Sequence, residues 1–199
     1  MIDKTNIKNI SKIIDKLKER RLNGEVITKN GTLLICKVPH IAPEAWLHSI
    51  YEGLSDYELK EVENKLGKKL PDDLYLLLKE VNGMNIFSDS ISIFGKRISY
   101  AREGEESFQP YDLADMNEEL DGIIPANWIA FAGYNWDGST MYYDINNDNS
   151  VFICERDSKN KLKVWSNIFS WLSEEVIRLS DLYDEKGIEK DEDVPTIPY

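Results

Sequence analysis

The chain has 199 residues, of which 42% are hydrophobic and 30% charged, and a formal net charge of −12. That length suits one globular domain, or one domain with an extension, burying roughly 70% of its unfolded surface without metal or disulfide staples. The composition fits neither wholesale disorder nor a membrane protein, and 36 acidic against 24 basic residues argue against nucleic acid or an anionic membrane as the main partner. A basic protein would instead be attracted and steered, with plain solubility the alternative use of the charge. Cys36 and Cys154 form no CxxC pair, and Met1 to Asn6 lack the apolar core of a secretory signal. The expectation is a cytoplasmic protein with reduced thiols.

Ile7, Ile10, Ile14 and Leu17 recur at helical spacing and predict a first helix. Residues 1–22 carry a net +4, so the opposite face of that helix is basic; it can lie on a membrane, but packing on its own domain is the commoner outcome. GEVITKNGTLLICKV follows, two β-rich runs around Asn30-Gly31, which predict a hairpin with a type I′ turn. Pro39 and Pro43 break the chain before EAWLHSIYEG, read as a short helix. Ser55 and Glu58 form a capping box for a helix carrying Leu59, Val62 and Leu66 and ending at Gly67. Pro71 opens another, with Leu74, Leu77, Leu78 and Val81 inward and Asn82-Gly83 as its stop. Short β-prone runs come next: ISIFG, WIAFAGY (128–134), TMYYDI (140–145), VFICE and LKVW, with PYDLADMNEEL as a short helix or turn after the first. A helix from about Asn167 to Leu182 closes the body, and the tail 184–199 carries a net −4 and two prolines, which reads as mobile or loosely docked. Helices, an antiparallel run of strands, then a helix is an α+β order.

The chemistry-bearing patterns each meet a plainer reading. Asp144, Asn146, Asp148 and Glu155 stand at calcium-loop offsets, but β-prone flanks replace the helices of an EF-hand, so a polar hairpin turn is preferred. His40, Glu44 and His48 recur every four residues, yet Pro43 falls inside the span and no further zinc ligand is evident. Nucleotide-binding, nucleophile-elbow and Cys/His signatures are missing together, so no catalytic residue, metal or cofactor is assigned. GYNWDGSTMYYD (133–144) sets Tyr134, Trp136 and Asp137 in a Gly-bounded turn and ends at Asp144. Exposed Trp and Tyr make good interface anchors, while a Trp folded back onto its own core is the equal alternative.

LSDYELKEVENKLGKKLPDDLYLLLKEVNG (54–83) resembles the opening signature of the SUKH superfamily: a helix with a central Glu63, Leu70-Pro71 before a Leu-rich helix with Leu77-Leu78, then Asn82-Gly83. The likeness continues through ISIFG, Pro125, FAGYNWDGSTMYYD and WSNIFSWL, covering about residues 54–180. The resemblance implies a central, mostly antiparallel sheet with helices packed on it. It also implies a binding scaffold without shared catalytic residues, used by bacterial immunity proteins against polymorphic toxins, often nucleases, and by fungal Smi/Knr cell-wall regulators. The expected organisation is an N-terminal helix and hairpin extension packed on the core (1–53), a SUKH-like domain (54–183) and an acidic tail (184–199). The expected function is non-enzymatic occlusion of a basic toxin domain, with Tyr134, Trp136, Asp137 and Asp144 as candidate contacts. A regulatory adaptor for endogenous proteins is the alternative, and a small-molecule or calcium-binding module a weaker one.

Overall fold

A computed structural model of the chain describes residues 4–147 and 150–199. Its centre is a nine-stranded sheet in which the strands lie in chain order, each antiparallel to the next. Helix α1 (Lys4–Lys18) precedes β1 (Glu25–Ile27), β2 (Leu33–Lys37) and β3 (Trp46–Glu52). Helices α2 (Asp56–Leu66) and α3 (Asp72–Glu80) then lead to β4 (Val81–Ile86) and β5 (Ile91–Ile93). Helix α4 (Leu113–Glu119) comes before β6 (Trp128–Tyr134), β7 (Thr140–Asp144), β8 (Val151–Cys154) and β9 (Lys161–Trp165), and α5 (Ile168–Leu182) closes the body. The α+β architecture matches the expectation.

Local chemistry explains most element ends. The Glu58 N–H donates to Ser55 Oγ and the Ser55 N–H donates back to Glu58, while Gly67 ends α2 in the left-handed region at φ 68°. Glu63, buried in α2, accepts the Leu70 N–H at 3.2 Å and faces Lys60 and Lys69. This carboxylate ties the α2–α3 connection just before Pro71, so the glutamate of the family signature is structural here. In α5, Asn167 accepts the Ser170 N–H at 2.9 Å, and Ile168, Leu172, Val176 and Leu179 are buried. Helices α1, α3 and α5 pack together, with Ile10, Ile13 and Leu17 carrying α1 into the core.

Three expectations are corrected. EAWLHSIYEG is strand β3, not a helix, because Trp46–Glu52 is paired on both sides, by β2 and β4, and its five central residues are buried. A strand buried on both faces shows no polar alternation, so its period of two is hidden in the sequence. The Asn30-Gly31 hairpin forms, but among its turn residues only Gly31 has positive φ (79°), and the Gly31 N–H donates to Thr28 O. A type I′ turn needs two such residues, so the loop is a longer one closed by a left-handed glycine. Finally, α3 ends at Glu80 and Val81 already belongs to β4, so Asn82-Gly83 does not stop a helix. The Asn82 side chain pairs with both backbone groups of Lys96, and Gly83 (φ 77°) leaves space where a Cβ would meet Ile93 O at 2.4 Å.

The two terminal segments meet. Arg20 donates its guanidinium to the carbonyls of Ser180, Tyr183 and Asp184, capping the C-terminal end of α5. The acidic tail is laid back along the body. Its Thr196 carbonyl accepts from Arg178, Tyr183 bridges Ser90 and Glu189, and Gly187 packs against Val38 and Leu47.

Candidate functional site

Strand β6 delivers the Gly-bounded turn singled out in the sequence, and the structure separates its candidate residues. Tyr134 is 2% exposed: its hydroxyl donates to Glu175 at 2.9 Å and accepts from the Trp171 indole at 2.9 Å. Burial, then the Glu175 charge, raises its pKa well above the usual phenol range. Tyr134 is therefore a core residue, which corrects its reading as a surface contact. The next side chains stand outside. Trp136 is 45% exposed, and exposed Asp137 accepts from the Ser139 N–H at 2.9 Å and from the Tyr199 hydroxyl at 2.5 Å. Against the desolvation that would raise it, the bonds from Tyr199 and Ser139 hold the Asp137 carboxyl below its ordinary value. Tyr199 thus braces the turn that carries Trp136.

Asp144 lies at the other end of β7, away from that turn. Its Oδ1 accepts from the Asn127 amide and the Asn146 N–H, and its Oδ2 from the Asn147 amide, at 2.5, 3.2 and 2.9 Å. Those bonds organise the β7–β8 turn and draw the carboxylate away from a partner-facing role. Asp148 of the calcium-loop offsets lies outside the described residues. Among the described residues no three His, Cys, Asp or Glu side chains converge as a metal site. His40 and Glu44 are exposed, whereas His48 is buried in β3, so the four-residue spacing brings no ligand set together. His48 accepts the Phe87 N–H on Nδ1 at 3.2 Å, and burial, reinforced by the Arg20 charge, pushes its pKa down to about 3. The thiols of Cys36 and Cys154 are free and buried. Among the described residues no helix is long and apolar enough to cross a membrane.

A second feature escaped the sequence reading. Ser49, Asn85, Ser92, Gly133 and Thr140 pair in register across β3 to β7, so their side chains share one face of the sheet. Four inter-strand steps of roughly 4.8 Å make this row about 19 Å long. The neighbouring row, His48, Ile86, Ile91 and Tyr134, points to the other face, where Tyr134 meets α5. Where the small residues cross β5 to β7 the surface sinks into a groove between Phe94, Tyr111 and Met116 on one side and Asp89 and Asn135 on the other. Asn135, Gly138 and Ser139 of the Trp136 turn line the same groove. The β4–β5 loop that presents Asp89 is left-handed at Phe87, Ser88 and Asp89, with φ of 52°, 51° and 67°, a conformation costly for side-chain-bearing residues. Only cross-strand register, which a single sequence does not display, could have revealed this row.

The exposed Trp136, the braced Asp137 and the adjoining groove form one continuous face on a body of net charge −12. Its components are those of a recognition surface: an aromatic anchor, acidic groups at the rim and unpaired polar positions. No curated protein matches the chain. The model of the SMI1 / KNR4 family (SUKH-1) matches residues 53–174, from the loop before α2 into α5, and the chain belongs to that family.

Proposed function

We propose that this protein is a non-enzymatic immunity protein that neutralises a cognate toxin domain by covering it. The observation that carries the reading is Trp136, held 45% exposed beside the Asp137 carboxylate although it follows a strand whose other large residues are buried. An indole in that position offers large contact area and an N–H at little cost in side-chain entropy, the character of an interface anchor. Family membership supports protein binding as the mode of action. The net charge of −12 favours a basic partner and speeds its encounter, an effect that weakens with salt.

Occlusion needs no chemistry from the chain. A basic toxin cleft would meet the rim carboxylates, while Trp136 supplies the desolvated centre of the contact. The test is to purify the chain with the toxin domain encoded beside its gene, then measure affinity and residual toxin activity. Nanomolar binding with loss of activity supports the reading. Absence of binding to any neighbouring product removes it and leaves the regulatory adaptor.

A further inference from the structure

The groove beside Trp136 has properties that the exposed indole alone does not explain. Ser49 and Ser92 are 9% and 7% exposed and set two small hydroxyl-bearing side chains in the row. Asn85, between them in the row, has a buried Oδ1 with no partner. Buried polar atoms are seldom left unpaired, so the orphan Asn85 Oδ1, flanked in register by two serines, marks a surface able to receive a donor. The row is interior to the sheet, whose edges are β1 and β9, so strand addition at an edge cannot satisfy it.

The groove's size and charge narrow the occupant. Its volume is about 210 Å³, below the roughly 300–1,000 Å³ of pockets that enclose a drug-sized ligand. Phe94, Tyr111 and Met116 give it an apolar wall, Asp89 stands opposite, and no Lys or Arg lines it. An apolar wall ending at a carboxylate suits a long side chain with a methylene stem and a cationic head. Gly133 keeps the floor open: a Cβ there would sit 3.5 Å from the Phe94 ring, an ordinary contact. Packing around the Asp89 carboxyl raises its pKa against the Asn85 amide, so an added cation would favour its charged form.

We propose that this groove receives a lysine or arginine side chain carried on an extended segment of the partner, with Asp89 meeting the cation and the Ser49–Asn85–Ser92 row meeting the segment's polar groups. The proposal rests on the protein-binding reading above and specifies the chemistry of its anchor.

The test uses the full chain and two acetylated, amidated hexapeptides, alternating Ala-Lys and alternating Ala-Glu, followed by amide NMR shifts. The Lys peptide should move the amides of Ser92, Gly133 and Thr140 with a dissociation constant of about 1 mM, and the Glu peptide should leave them still. Asp89→Asn, which keeps a residue tolerant of left-handed backbone, should weaken the Lys peptide roughly threefold to tenfold. Gly133→Val should abolish the groove shifts by filling the space; if that variant does not fold, Asp89→Asn decides alone. Equal response to both peptides, shifts confined to other surfaces, no shifts, or an Asp89→Asn variant that binds unchanged would each overturn the proposal. A cognate toxin bound equally well by wild type and folded Gly133→Val would overturn the groove and leave the immunity reading standing. Failure to bind any toxin, with the groove shifts intact, would do the reverse.

Discussion

Two rows of side chains cross the same four strands one residue apart, and they have opposite characters. His48, Ile86, Ile91 and Tyr134 face the helices, each at most 2% exposed. Ser49, Asn85, Ser92 and Gly133 face away, and they are small or polar. Because side chains alternate along a strand, β3 to β6 build the core and the proposed binding surface from adjacent residues. The large row fixes the sheet against α5, and the small row leaves a depression that larger side chains would have filled. Stability and the proposed binding should therefore be separable at a spacing of one residue.

Substitutions in the two rows should separate accordingly. Ile91→Ala, which empties a fully buried position, should cost about 2–5 kcal/mol in denaturant unfolding. A cost under ~1 kcal/mol would mean that the row is not core. His48 contributes through pH. Its folded pKa lies below its unfolded value, so the unfolded chain binds the extra proton and stability is lost as pH falls from about 6.5 towards about 3. The slope should reach up to ~1.4 kcal/mol per pH unit, and His48→Leu should flatten it in denaturant titrations across that window. Tyr134→Phe removes one hydroxyl from Glu175 and Trp171 and should cost about 1–3 kcal/mol in the same assay. Ser92→Ala, next to Ile91 in the chain, should change stability by less than about 0.5 kcal/mol. A Ser92→Ala cost as large as that of Ile91→Ala would erase the distinction between the rows.

Legibility followed the range of the interactions involved. The Ser55–Glu58 box, the α3 leucines, the strand runs from 128 to 165 and the α5 stripe are local patterns, and the chain displays them. Strand β3 was hidden because burial on both faces erases alternation, and the docking of the tail because it depends on Arg20 and Arg178 reaching distant carbonyls. Within the candidate site, the sequence marked the turn but could not tell inward Tyr134 from outward Trp136, two residues apart around a strand end. Asp144 was readable as a turn residue, and its bonds to Asn127, Asn146 and Asn147 give it that role. The polar row is non-local in every member, since its residues are brought together only by register across five strands.

Trp136→Ala bears most directly on the claim that this face binds a protein. Thermal melting and toxin affinity should be measured on the same preparation of wild type and variant. The account expects a melting temperature within about 2 °C of wild type and affinity lower by at least roughly tenfold, the loss typical of an aromatic anchor. A collapsed melting temperature would make Trp136 part of the core, and unchanged affinity would place the toxin elsewhere; either result contradicts the account.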